Sequence, residues 1–143
     1  KFSPLHKGHQ LVIETALAEM DEVTVIIYDA PETTPIPLNI RFNWLRRLYP
    51  QVKVIEAWDG PTEVGNIPEI KRKHENYIIN QLNLSGITHF YSSEFYGEHI
   101  SVALGAVNRL VNPSRQIVPI SGMKMCLLCW MGFATPSVTI KSE

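Results

Sequence analysis

Residues 22–28 (Glu-Val-Thr-Val-Ile-Ile-Tyr) form a largely apolar, β-branched run that is unbroken by a polar residue from Val25 on. A run of this kind is a strand that has to be covered on both faces. The flanking segments can do the covering. Residues 8–20 repeat Leu11, Val12, Ala16, Leu17 and Met20 at helical spacing, and residues 38–48 carry the stripe Ile40, Trp44, Leu45 and Leu48. Further along, the pattern predicts strands over 52–56, 88–91 and 116–119. It predicts helices over 67–84 and 99–104, and a last helix opening at Ile120-Ser121-Gly122. Residues 29–37 hold three prolines and read as a loop. Strands separated by helices make βαβ units with right-handed crossovers, so the expected fold is α/β, a doubly wound parallel sheet. The length of 143 residues suits a single domain spanning 1–143. In such sheets a ligand sits beyond the carboxyl ends of the strands, which directs attention to the loops 1–9, 29–37, 92–97 and 120–123.

Composition narrows the function classes. A formal net charge of −1 gives no basic excess for non-specific nucleic-acid binding. The triplet Lys71-Arg72-Lys73 reads as a solvated helix face. No apolar stretch approaches the ~18 residues of a membrane span, and no secretory leader pattern opens the sequence. The expected compartment is the cytoplasm. The pair Cys126 and Cys129 lacks the second pair or the histidine of a zinc site and reads as buried thiols.

The chemistry concentrates in the first loop. His6-Lys7-Gly8-His9 stands where a loop becomes a helix. A helix N-terminus offers unpaired N–H groups and a partial positive charge, which favours phosphate. Gly8 permits close approach of a ligand, and two imidazoles three residues apart can reach one phosphate. Nucleotidyl transfer needs this kind of help: a phosphate held still while charge on its oxygens is stabilised.

Residues 2–9 (Phe-Ser-Pro-Leu-His-Lys-Gly-His) resemble the F-x-P-x-H-x-G-H motif of the HxGH nucleotidyltransferases. Three later stretches narrow the resemblance: 88–97 (Thr-His-Phe-Tyr-Ser-Ser-Glu-Phe-Tyr-Gly), 111–115 (Val-Asn-Pro-Ser-Arg) and 118–122 (Val-Pro-Ile-Ser-Gly). Their order is similar to that in nicotinamide-nucleotide adenylyltransferases of the bifunctional NAD-biosynthesis regulator type. The resemblance implies a Rossmann-like parallel sheet of order 3-2-1-4-5. It also implies a first strand, ending in Gly, ahead of the position of Lys1; that strand is missing from the sequence. A truncated record of a longer protein, or another source for the segment, is the expectation.

The implied activity is AMP transfer from ATP to nicotinamide mononucleotide, giving NAD and pyrophosphate, with Mg²⁺ accompanying ATP. By the same resemblance His6 and His9 are the catalytic pair that binds and polarises the triphosphate, with His9 foremost in the transition state. Phe2 and Ser3 would line the α-phosphate side and Gly8 the approach. Arg41 would reach phosphates, although a solvated helix arginine explains it equally well. Ser92, Ser93 and Glu94 would flank the adenosine end, and Trp58 would stack on the nicotinamide unless it plugs a core. Ser121, Gly122 and Lys124 would hold the far phosphates. Here the sequence departs from the family's Ile-Ser-Ser/Gly-Thr-x-x-Arg: Met123 replaces Thr, Cys126 falls at the Arg, and the tail over 123–143 is atypical.

Other readings stay open at this level. The acceptor could be phosphopantetheine, or a phospho-alcohol that takes a cytidylyl group, though the Ser-Ser-Glu-Phe-Tyr-Gly loop speaks against both. The degenerate last motif would permit a nucleotide-binding module without catalysis. A class I aminoacyl-tRNA synthetase fragment would need a Lys-Met-Ser-Lys-Ser-like loop, which the sequence lacks. The sequence leaves open whether the chain is a monomer or a homo-oligomer.

Overall fold

The computed structural model describes residues 2, 4–32, 34–63, 65–94 and 97–119. Along them run α1 (Lys7–Glu19), β1 (Thr24–Tyr28), α2 (Leu38–Leu48), β2 (Lys53–Ala57) and α3 (Pro68–Asn76). A π-helical turn (Tyr77–Gln81) extends α3, and β3 (His89–Ser92), α4 (Gly97–Leu104) and β4 (Val107–Leu110) follow. β1 pairs in parallel with β2, and β3 in parallel with β4, each pair joined through a helix. The expected order 3-2-1-4-5 needs a strand linking the two pairs, and the described residues do not include one.

The double cover of β1 is visible in its alternation. Val25 and Ile27 enter a core with Ile13 of α1, Leu38 and Leu45 of α2, Tyr49 and Val52. Ile26 and Tyr28 pack on the opposite side against Ala57, Tyr77, Ile78 and Ile100. Burying one Leu- or Ile-sized side chain contributes about 1.5–3 kcal/mol, so these two clusters dominate the favourable side of folding. A polar contact joins the first layer: the Tyr49 hydroxyl donates to Glu14 at 2.9 Å, tying the end of α2 to α1. Burial and that carboxylate push the phenol up to about 12. The second strand pair is tied to α1 by Glu19, which receives Arg109 Nη2 at 2.8 Å and the Tyr91 hydroxyl at 2.9 Å.

Three sequence expectations need correction. Residues 116–119 form bends, not a strand, because the Asn112 side chain takes their backbone groups. Its Oδ1 accepts Ile117 N at 3.0 Å, and its Nδ2 donates to Val118 O at 3.4 Å. The fourth strand is instead Val-Asn-Arg-Leu at 107–110, an outer strand whose residues are mostly exposed and carry no apolar signal. The inward stripe of α2 is Leu38, Arg41 and Leu45; Ile40 and Leu48, 41% and 52% exposed, face outward. The last helix, expected from residue 120, lies outside the described residues, as do Cys126 and Cys129. Lys71, Arg72 and Lys73 do lie on α3, half-buried to exposed, as a solvated face requires.

Arg41 explains the changed stripe. Its side chain is fully buried, yet it donates to Tyr28 O at 2.7 Å and Ile36 O at 2.9 Å and lies 3.5 Å from Asp29 Oδ1. An apolar count skips such a position, although its polar needs are met inside the protein. The guanidinium thereby fixes the end of β1 and the proline-rich loop after it. Arg41→Leu leaves buried carbonyls unpaired and should cost roughly 3 kcal/mol, about 10 °C in melting temperature. Arg41→Lys, a point charge without the fork, should cost less. Thermal denaturation of both variants checks this, and an unchanged midpoint in Arg41→Leu would refute the structural role.

Candidate active site

The loop before α1 is fixed by its own histidine. His6 caps the helix: its Nδ1 accepts the Gly8 N–H at 3.1 Å, and its carbonyl receives His9 N and Gln10 N. Accepting at Nδ1 places the ring proton of neutral His6 on Nε2. One helical turn on, His9 lies on the same side of α1 and its ring stacks on His6, centroids 3.7 Å apart and 19° between planes. Phe2 closes the outer side of His9 at 4.6 Å. Phe2 has φ 52°, a left-handed conformation uncommon for a bulky side chain.

The histidine pair opens on a cleft of about 70 Å³ lined by His6, Gly8, His9, Ser93, Glu94 and Arg115, with Asn112 beside them. Its far wall comes from the carboxyl ends of β3 and β4, where Val111 N donates to Ser92 O at 2.7 Å and aligns the two outgoing loops. This is the expected position for a ligand in a parallel sheet. A turn closed by Arg115 N and Asn112 O, 2.9 Å apart, brings Arg115 back toward the histidines. Its guanidinium meets Glu94 Oε1 at 2.5 Å. Gly97, at the start of α4, is needed for close approach: a Cβ there would stand 2.2 Å from the Ser92 hydroxyl.

The electrostatics are unusual for two histidines. Burial, then the neighbouring His6 ring and Arg115, push His9 down to about 3; burial and Arg115 lower His6 as well. Both imidazoles are therefore neutral at pH 7. His6 Nε2 and His9 Nδ1 are buried without a hydrogen-bond partner among the described residues. A buried polar atom left unpaired costs about 1–3 kcal/mol, and such atoms in a cleft mark places where a ligand can supply the missing partner.

Several expected site residues gather here and others do not. His6, His9, Gly8, Ser93 and Glu94 line the cleft, and Phe2 backs it. Ser92 is buried one layer deeper and donates to Glu94 O at 3.2 Å. Arg41 is spent on the loop after β1, and Trp58, 54% exposed after β2, does not line the cleft. Ser3, Ser121, Gly122 and Lys124 lie outside the described residues, with Met123 and Cys126. Asn112 and Arg115 also line the cleft; in the sequence they stand only within the motif stretch 111–115, with no site role of their own. Among the described residues, no group of His, Cys, Asp or Glu could hold a metal ion, and no helix is long and apolar enough to cross a membrane.

The depressed His9 value sets a pH dependence. Below the ordinary value of 6.5 the unfolded chain binds a proton that the folded chain refuses, so stability falls as pH falls. The loss is about 1.4 kcal/mol per pH unit between that value and the folded one. Urea denaturation at pH 7.5, 5.5 and 4.5 should show a steeper decline for the wild type than for His9→Asn. Equal slopes would mean that His9 is not held neutral by the fold.

A family model described as Cytidylyltransferase-like matches residues 1–124. No curated protein and no solved structure matches the chain. The match takes in the histidine-capped helix, both parallel strand pairs and the returning Arg115 turn, and on it the chain belongs to the cytidylyltransferase-like family of HxGH nucleotidyltransferases.

Proposed function

We propose that the protein is an adenylyltransferase that transfers AMP from ATP to nicotinamide mononucleotide, forming NAD and pyrophosphate. The observation that carries the nucleotidyl-transfer reading is the stacked, neutral, partner-deficient pair His6–His9 at a helix N-terminus, facing the ends of two parallel strands. The adenylyl and nicotinamide specificities rest on the resemblance of residues 88–97 and 111–115. In the wider family context the strand pairs β2-β1 and β3-β4 are the two halves of the order 3-2-1-4-5.

In this reading a phosphate oxygen of the acceptor attacks the α-phosphorus of ATP. The bond from that phosphorus to the bridging oxygen breaks, and pyrophosphate leaves with the electron pair. No residue has to form a covalent bond. The imidazole N–H groups of His6 and His9 donate to phosphoryl oxygens as charge builds there, beside the backbone N–H groups opening α1. Neutral rings suit this work because they donate without first giving up a solvating water shell. The cleft of about 70 Å³ is far below the ~300–1,000 Å³ of a site enclosing a whole organic ligand, so it fits phosphoryl groups with the nucleoside lying outside. Ser93 and Glu94 border that outer side, and Ser121, Gly122 and Lys124 carry the far phosphates. Mg²⁺ fits as part of the nucleotide: the described residues offer it no cage, and the ion binds readily to polyphosphate oxygens while retaining water. Bound there it neutralises charge on the triphosphate.

The test is a screen of the purified chain with ATP or CTP, Mg²⁺ and a series of phosphate acceptors, reading pyrophosphate. Turnover with ATP and nicotinamide mononucleotide above all other pairs supports the reading. Faster turnover with CTP and a phospho-alcohol moves the protein to cytidylyl transfer; faster turnover with pantetheine phosphate moves it to that acceptor. ATP binding without turnover on any acceptor would make it a nucleotide-binding module. His9→Ala should lower kcat by roughly 10²–10³ with a much smaller change in ATP affinity. A loss confined to affinity would remove His9 from the transition state.

A further inference from the structure

With both histidines held neutral, they can donate hydrogen bonds to a polyphosphate but bring no charge of their own. Of the residues lining the cleft, Arg115 is the one lysine or arginine among those described. It is held there by structure: Asn112 and Arg115 both adopt left-handed φ, 50° and 56°, around a turn closed by their backbone hydrogen bond. The Asn112 side chain bonds to residues 117 and 118, so the turn is braced on both sides. The guanidinium is matched by the Glu94 carboxylate at 2.5 Å, and Glu94 lines the same cleft. The two side chains are 37% and 38% exposed, so the pair sits at the rim, where water or a ligand can reach it.

We infer that Arg115 is a phosphate-binding cation of this site and that Glu94 is its resting counter-ion, displaced when a nucleotide's polyphosphate takes the guanidinium. This rests on the nucleotidyltransferase reading and gives that site a binding residue and a built-in competitor. A carboxylate and a phosphate compete for the same planar fork, and the phosphate carries more charge and more acceptor oxygens. A rim ion pair is worth little in itself, so exchanging it for a multiply charged ligand costs little. The Glu94 carboxylate also opposes any anion entering the cleft unless Arg115 is released to it. The resting pair thus discriminates against singly charged anions and admits those able to take Arg115. Arg115 acts on the histidines as well, since its charge is among the causes that hold both rings neutral.

The experiment uses the full chain and two probes, inorganic tripolyphosphate and MgATP, measured by calorimetry for wild type, Arg115→Gln, Arg115→Lys and Glu94→Gln. Thermal midpoints confirm folding, and histidine NMR titration accompanies each variant. Arg115→Gln should weaken tripolyphosphate binding roughly 10- to 100-fold, with Arg115→Lys in between. Glu94→Gln should tighten it, by roughly 3- to 10-fold, because the competing anion is gone. Arg115→Gln should also move the histidine titrations upward, a shift that a purely structural arginine far from the rings would not produce. Unchanged binding in Arg115→Gln, or weaker binding in Glu94→Gln at an unchanged melting temperature, overturns the inference and leaves the nucleotidyltransferase reading standing. A wild type that binds neither probe overturns both. Should Arg115→Gln fail to fold, the tightening in Glu94→Gln and the intermediate Arg115→Lys still decide the matter.

Discussion

β1 must be covered on both faces, and the rest of the structure follows from that. Its side chains alternate between two cores, Val25 and Ile27 to one, Ile26 and Tyr28 to the other. Helices α1 and α2 have to lie on the first side and the α3–α4 layer on the second, because an exposed face would forfeit about 25 cal/mol for each Å² of apolar surface left in water. With the helices on those faces, the loops that leave β3 and β4 meet the loop entering α1 at the cleft. The site is a consequence of how the sheet is covered.

Within that edge the decisive balance is between desolvation and hydrogen bonding. Stacking His6 on His9 under Phe2 removes both rings from water and lowers their basicity. A charged imidazole pair in the same place would be attractive to phosphate but would repel itself. The structure resolves this by keeping the rings neutral, with ring nitrogens still unpaired, and by placing the positive charge on Arg115 at the rim. Donor geometry and net charge are thus divided between different residues. Arg41 illustrates the opposite use of a guanidinium: fully buried and bonded to backbone carbonyls, it holds a loop in shape.

Much of this was legible in the residues. Apolar runs and helical spacing located β1, α2 and β3 to within a residue or two, although the face that α2 turns inward carries Arg41 and not the full apolar stripe. The histidine motif was legible because a helix start, a glycine and two imidazoles have one economical joint use. β4 was not, since an outer strand such as Val-Asn-Arg-Leu buries too little to need an apolar pattern. Residues 116–119 misled for the converse reason: β-branched side chains suggested a strand, while a single asparagine side chain supplied the hydrogen bonds a neighbouring strand would have given.

The sequence by itself determined the α/β class, the parallel alternation and the loop that carries the histidines, because each depends on residues near one another in the chain. Its motifs also pointed to the nucleotidyltransferase family. Tertiary structure alone decided which arginine belongs to the cleft. Arg41 and Arg115 are the same chemical group, and the residues around each in the chain do not say which one reaches the cleft. One is enclosed by carbonyls from the end of β1 and its loop; the other is carried by a left-handed turn back to a carboxylate 21 residues earlier and a histidine pair more than 100 residues earlier. Burial and charge environment are sums over neighbours that only the folded chain brings together, and they determine whether a guanidinium holds a loop or lines a cleft.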